Sequence, residues 1–300
     1  MSSLREPGLY WTVTTQGRVR RSEPARVPAN GVELCVQTFG EAADPAILLV
    51  AGAASSMDWW EDELCARLAF GSRFVIRYDL RDTGQSVSYE PGAPKYDGQD
   101  LVTDAVGILD VLRVSRAHVV GISMGGGIAL HLALDHADRV VSLTLISTSP
   151  GGSGLPPMSD GLRARFAQPS AEPDWSDRQA VVDYIIEDLH GYAGSVTFNE
   201  AEMRALAGRI VDRTANIESA MTNHSIIEGG EPLRHRLSEL TTPTLVLHGT
   251  EDPLFPYGHA EALAAEIPGA KLVPLEGVGH EMPPRPVWDQ VVAAILDHTA

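Results

Sequence analysis

Cysteine is almost missing from this 300-residue chain: Cys35 and Cys65 are the only two, and they form no Cys-x-x-Cys pair. That excludes a disulfide framework and a cysteine-built metal site, and two reduced thiols are expected. Lysine is equally scarce. Only Lys95 and Lys271 occur, so nearly every positive charge is an arginine. Positive charge is itself in short supply: 23 Lys and Arg stand against 40 Asp and Glu, for a net charge of −17. Nucleic acids and anionic membranes bind clustered basic side chains, so neither is an expected partner. No uninterrupted apolar run reaches the ~18 residues that a membrane helix needs. The opening MSSLREPGLYWTVTTQGRVRR has no apolar signal-peptide core, and a cytoplasmic location is expected. The ten histidines show no metal-ligand spacing, so no metal and no cofactor are expected.

What is present is the material for a large core. Hydrophobic residues make up 44% of the chain and charged residues 21%, an ordinary balance for a globular protein. Short continuous apolar runs recur at 46–50, 74–78, 118–122, 140–146, 244–248 and 271–275, and 32–39 alternates as a strand does. Such runs read as strands buried on both faces, the mark of a parallel sheet covered by helices. Helical patterns at 59–70, 100–113, 124–136 and 287–295 lie between or after them. The reading is an α/β fold with a mostly parallel central sheet flanked by helices.

The alternation stops between Pro150 and Leu240. That stretch opens on the Pro/Gly-rich SPGGSGLPP and then reads helical at 162–166, 179–189, 200–210 and 217–227. It is expected to form a helical lid over the sheet. The chain therefore divides into an N-terminal arm (1–25), a core (26–149 and 241–300) and a lid (150–240). The arm shows no strong periodicity and is expected to pack on the body or fray; through it, a second copy of the chain is a candidate partner.

The sharpest feature is Gly121-Ile122-Ser123-Met124-Gly125, a G-x-S-x-G that ends a buried strand and opens a helix. The turn is so tight that the positions two before and two after the serine must be small. Gly126 and Gly127 would let the helix pass close to the sheet. Ser123 is then exposed at the carboxyl edge of the sheet, beside a helix N-terminus that favours negative charge. A serine hydroxyl needs a base, and the base needs a third group to orient it. In this arrangement the partners follow in the order serine, acid, histidine. The candidate acid is Asp252, just past a buried strand; its neighbour Glu251 would point elsewhere. The candidate base is His280, in Glu276-Gly-Val-Gly-His280, where glycines let the loop swing the imidazole over the sheet edge. His224, in the lid, is a candidate for the pocket wall; His248 reads as a core or pocket-edge residue. The oxyanion hole needs two backbone N–H groups, one from the residue after the nucleophile and one from the loop after the first buried strand. Met124 and Ala53 are the candidates, with Gly52 and Ala54 flanking the substrate.

These residues resemble the α/β-hydrolase superfamily over 30–300. A second signature agrees: Asp79-Leu-Arg-Asp-Thr-Gly-Gln-Ser86 is similar to that family's D-x-R-G-x-G-x-S turn, with Asp82 in the usual glycine place. The turn would buttress the site rather than perform chemistry. A narrower resemblance, to the aclacinomycin methylesterase family, runs through residues 76–79, 81–84, 116–121, 123–125, 133–136, 138–139 and 142–144. That resemblance implies a serine triad on Ser123, Asp252 and His280, oxyanion donors at Ala53 and Met124, and hydrolysis of a methyl ester on a polyketide ring. The loop Gly52-Ala53-Ala54 is bulkier than that family's glycine-rich loop, and the lid shows little likeness. The implied activity is ester hydrolysis with a small-molecule ester as substrate. C–C hydrolysis, lactone opening and cofactor-free perhydrolysis use the same triad, and a non-catalytic ligand receptor is the reading from another class. Trp175, Tyr184, Tyr192, Phe198, Met158, Met203 and Met221 stand at helical spacing that more often marks a lid's own core than a pocket lining; those on its underside would suit a bulky, flat acid part.

Overall fold

The structure is a computed structural model, and it describes residues 9–13, 17–168, 171–196, 199–229 and 233–300. Its strands are β1 (Leu9–Val13), β2 (Arg18–Ser22), β3 (Ala25–Ala29), β4 (Val32–Phe39), β5 (Ala46–Val50), β6 (Phe74–Tyr78), β7 (Ala117–Ile122), β8 (Val140–Ile146), β9 (Thr244–Gly249) and β10 (Lys271–Leu275). Its helices are α1 (Asp62–Phe70), α2 (Gly98–Val111), α3 (Met124–Asp135), α4 (Asp160–Ala167), α5 (Arg178–Tyr192), α6 (Glu200–Arg213), α7 (Ile217–Thr222), α8 (Gly258–Glu266) and α9 (Trp288–His298).

All ten strands join one sheet in the order β1-β2-β4-β6-β5-β7-β8-β9-β10, with β3 paired to β4. Pairing is antiparallel from β1 to β6 and parallel from β6 to β10. The parallel strands β5 and β7 are buried at every position, as continuous apolar runs require when helices cover both faces. One core packs α2, α3 and α8 on one face through Leu101, Ile108, Ile128, Leu132 and Leu263. The other packs α1 and α9 on the opposite face through Leu64, Leu68, Val291 and Ile295. Cys35 and Cys65 are both free and buried, and burial pushes each thiol up to about 12.

The N-terminal stretch packs on the body as an added part of the sheet. Residues 9–13 and 18–22 form a hairpin, and Arg21 of β2 pairs with Phe39 of β4, so this segment extends the sheet at its antiparallel edge. Alternation there is masked because only Val19 of β2 is fully buried, and an edge hairpin can bury little.

Between 160 and 222 the described residues carry helices α4 to α7 and no strand. Helices α5 and α6 share a small core of their own, Val181, Val182, Ile185, Ile186 and Ala207. This lid is fastened to the sheet edge by charge. Arg213, at the end of α6, makes a bidentate contact with Asp79 at 2.6 and 2.7 Å and also reaches Asp58. Asp79 has no exposed side-chain surface. Its two oxygens also accept the Met57 and Gln85 N–H groups, each at 2.9 Å. A Cβ on Gly84 (φ 50°) would fall 2.2 Å from the Asp79 carboxyl, which is why that turn position is glycine. Asp82, in the expected glycine place, holds a left-handed φ of 66°. Its carboxylate accepts from Tyr89 N, Tyr96 Oη and Asn223 Nδ2 at 2.6–2.9 Å, so the polar side chain is fully used where a glycine would have offered nothing.

Candidate active site

Ser123 sits between β7 and α3 with φ 52° and ψ −121°, a conformation an L-residue adopts only under constraint. The constraint is the closeness of the backbone around it. A Cβ on Gly121 would stand 2.2 Å from Gly125 O, one on Gly125 2.4 Å from Val50 O, and one on Gly126 2.6 Å from Thr148. Gly127 departs from the expectation: its Cβ would meet open space, so close packing of α3 needs only the first three glycines. Ser123 N donates to Ile146 O at 3.0 Å, and Thr148 Oγ1 donates to Ser123 O at 2.8 Å, which ties the turn to β8.

Ser123 Oγ lies 2.9 Å from His280 Nε2, and His280 Nδ1 lies 2.8 Å from Asp252 Oδ2. Asp252 Oδ1 accepts the Leu254 and Phe255 N–H groups at 2.9 and 2.7 Å, leaving Oδ2 for the imidazole. Since the carboxylate can only accept, the proton sits on Nδ1, and the bare Nε2 accepts from the serine hydroxyl. Asp252 is buried without exposed side-chain surface, and His280 is 11% exposed, open on the side of the serine. Tyr192 and Phe255 flank the imidazole at ring distances of 5.9 and 5.2 Å.

The loop that carries His280 is joined to the lid. His280 N donates to Tyr192 O at 2.8 Å, and Val196 N donates to Gly277 O at 3.0 Å. Two carboxylates complete the seam. Glu281 accepts from Gly194 N and Gly279 N at 3.0 and 3.1 Å, and Glu251 accepts from Ser195 N and Oγ at 2.7 and 2.8 Å. A Cβ on Gly279 would press to 2.1 Å from Tyr192 O, so this glycine permits close approach of lid and loop. Burial pushes the Glu281 carboxyl above the usual carboxylate range. Neither carboxylate carried a signal in the sequence, because its partner is a backbone amide nearly 60 or 90 residues away.

A cavity of about 360 Å³ opens beside Ser123 and His280. Gly52, Ala53 and Ala54 line one side. Tyr184, Ile185, Leu189, Tyr192 and Met221 line the lid side, with Trp59, Leu254 and Met282 from the core. Of the lid residues expected there, Tyr184, Tyr192 and Met221 take part. Trp175 and Met203 pack against the lid's own core instead. Phe198 lies outside the described residues. Asp188 also borders the cavity, and burial raises its carboxyl.

Two further histidines lie close to the site. His248 is completely buried and donates through Nε2 to Phe255 O at 2.7 Å, with Asp252 Oδ2 at 3.4 Å. His224 was expected on the pocket wall but is absent from it. It lies buried under the loop, its Nδ1 accepting from Ala54 N at 3.0 Å and its Nε2 bonded to Arg81 O at 2.9 Å. The correction has a plain cause: once both ring nitrogens are held by backbone groups, the imidazole has no edge left for a substrate.

Among the described residues no helix is long and apolar enough to cross a membrane. The chain is 33% identical over 288 residues to the rhodomycin D methylesterase DauP of Streptomyces sp. (strain C5), covering 89% of this chain and 95% of that one. It is 33% identical over 298 residues to the rhodomycin D methylesterase DnrP of Streptomyces peucetius, covering 92% and 98%. The solved structure of the enol-lactonase from Burkholderia xenovorans LB400 superposes with a TM-score of 0.71 at 25% identity, over 91% of this chain and 99% of that one. The family model described as the alpha/beta hydrolase fold matches residues 45–283, four-fifths of the chain, and with the strand order and the serine turn already described, this protein belongs to the alpha/beta hydrolase family.

Proposed function

We propose that this protein is a carboxylic ester hydrolase with Ser123 as nucleophile, His280 as general base and acid, and Asp252 as the group that orients His280. The observation that carries the reading is the unbroken line from Ser123 Oγ through His280 to Asp252 at the wall of a largely apolar cavity. Ser123 Oγ attacks the ester carbonyl as its proton passes to His280 Nε2. The imidazolium is stabilised by Asp252, which stays ionised. The tetrahedral oxyanion accepts from the N–H groups of Met124 and Ala53. His280 then protonates the departing alkoxide, which leaves as the alcohol. A water, deprotonated by the same nitrogen, attacks the acyl-serine, and the acid and free serine are released.

The substrate reading is a small-alkyl ester, such as a methyl ester, on a bulky and mainly apolar ring acid. Tyr184, Tyr192 and Trp59 offer flat faces to such a group, while Met221 and Met282 adapt to its outline. The methylesterase relatives support a methyl leaving group. The net charge of −17 and the carboxyl of Asp188 at the cavity disfavour an anionic acid part. The test is a panel ranked by kcat/KM, which reports discrimination in the transition state. Methyl esters of cyclic acids are expected to lead; if long-chain triglycerides, lactones or vinylogous diketones lead instead, the substrate reading is wrong while the serine chemistry stands.

Asp252→Asn tests the orienting role. The amide can present its NH2 to His280 Nδ1, which selects the wrong tautomer and leaves Nε2 protonated. A loss of about 10⁴-fold in kcat is expected, with the fold intact by circular dichroism. Turnover within tenfold of the parent would place the acid elsewhere.

A further inference from the structure

The short segment 51–55 carries both a candidate oxyanion donor and a strained residue. Ser55 N donates to Gly52 O at 3.3 Å, closing a turn with Ala53 and Ala54 at its corners. Ala54 holds φ 56°. For an L-residue that conformation is strained, and a glycine would adopt it freely. Something outside the turn must hold it. Among the described residues, the hydrogen bond that reaches the Ala54 N–H comes from the lid: His224 Nδ1, 170 residues further along the chain.

The protonation state of His224 follows from its two partners. Arg81 O can only accept, so Nε2 carries the hydrogen. Ala54 N–H can only donate, so Nδ1 is bare. Only the neutral Nε2–H tautomer satisfies both. The segment that presents the ring is itself clamped. Asn223 donates to Asp82 and Glu90 O and accepts from Gly92 N, and Ser219 Oγ donates to Tyr89 O.

We propose that His224 is a positioning residue for the oxyanion hole: by accepting the Ala54 N–H, it locks the Gly52–Ser55 turn in the form that leaves the Ala53 N–H free for the substrate oxygen. The inference rests on the serine-hydrolase reading above and adds a dependence of that hole on the seated lid. The Ala54 amide is consumed by the imidazole, which resolves which of two adjacent alanines can donate to the oxyanion. A protonated His224 would turn an Nδ1–H against the Ala54 N–H and release the turn.

The groups that face the ring are few. The Asp82 carboxylate, engaged by Tyr96 Oη and Asn223, lies beside it; the Tyr96 ring meets it edge-on at 6.2 Å; the Arg81 guanidinium lies over that Tyr96 ring at 5.7 Å and is neutralised by Asp104 and Asp100. Burial lowers the His224 pKa below its ordinary value, opposed by the bond to Arg81 O and by Asp82. The neutral form therefore persists down to lower pH than for a free imidazole, and the lock is lost as pH falls through that lowered value.

Three variants assayed with p-nitrophenyl acetate separate this role from mere packing. In His224→Leu, kcat is expected to drop about 10- to 100-fold with KM nearly unchanged, since the oxyanion forms only in the transition state. His224→Asn places an amide oxygen where Nδ1 accepts and is expected to recover most of kcat. His224→Gln extends its amide toward Arg81 O and is expected to behave like the leucine variant. The acid limb of log kcat/KM should be steeper in wild type than in His224→Asn, which has no proton to take up. Wild-type kcat in the leucine variant, or an asparagine variant no better than the glutamine one, overturns the proposal. Should the leucine variant fail to fold, the asparagine and glutamine comparison still decides. Endpoint labelling by a fluorophosphonate keeps the two readings apart: an unlabelled wild-type Ser123 overturns the serine hydrolase, whereas full labelling with an indifferent His224 overturns this inference alone.

Discussion

The Ser123→Ala protein is expected to lose on the order of 10⁶-fold in ester turnover, with its melting temperature little changed. The two halves of this expectation have separate causes. In the proposed mechanism Oγ forms the acyl bond, and without it His280 and the backbone N–H groups have no hydroxyl in line with the imidazole to act on. The stability half follows from the hydroxyl's surroundings. Among the described residues its side-chain partner is His280 Nε2, which borders the cavity and can bond to water once the hydroxyl is gone. The strained backbone at position 123 is set by Gly121 and Gly125, not by the hydroxyl, and alanine keeps it. Kinetics on the ester panel and fluorophosphonate labelling check both halves. Labelling that survives in Ser123→Ala, or turnover within a factor of 100 of the parent, would move the nucleophile to another residue.

The largest loss of stability is expected from Arg213→Ala. Asp79 has no exposed side-chain surface, and among the described residues Arg213 is its one charged partner at bonding distance. Deleting the guanidinium leaves a buried carboxylate held by neutral groups, the Met57 and Gln85 amides among them. Breaking a buried pair from one side costs about 3–5 kcal/mol, far more than the pair contributes when whole. For a chain of this size that corresponds to a fall of roughly 5–10 °C in melting temperature. Activity should fall as well. Arg213 is the anchor between α6 and the turn below it, and Asp79 also holds Met57 N, just after the oxyanion loop. The cycle with Asp79→Asn isolates the cause. If the cost is the orphaned charge, the double variant should be more stable than Arg213→Ala alone. A loss under about 1 kcal/mol in Arg213→Ala would mean that water reaches Asp79 and the pair is worth no more than a surface one.

Much of this molecule is local, and local features are legible in a sequence. The strands 46–50, 74–78 and 140–146 coincide with β5, β6 and β8 because a strand buried on both faces is largely apolar, whereas 271–275 coincides with β10, an edge strand with only Leu275 fully buried. The serine turn is written in five consecutive residues because the clash distances around Gly121 and Gly125 admit nothing larger. Asp252 and His280 are legible by their order and by the strands that precede them. The N-terminal hairpin was not legible: its strands lie at the sheet edge, where little is buried and no alternation is enforced.

What only the tertiary structure decided are contacts between a side chain and a distant backbone group. Sequence patterns record burial and spacing, but a backbone amide looks the same at every position. Hence Glu281 on Gly194, Glu251 on Ser195 and Asn223 on Gly92 left no trace in the sequence. His224 is the sharpest case. Its place in the lid was readable, and a histidine beneath a lid suggests a pocket wall; the fold instead turns both nitrogens onto main-chain atoms of Ala54 and Arg81. The sequence determined which elements form and where the serine stands. The direction in which each polar side chain is spent was decided by which backbone groups folding left without a partner, because a buried N–H or C=O must be satisfied by whatever lies within about 3 Å of it.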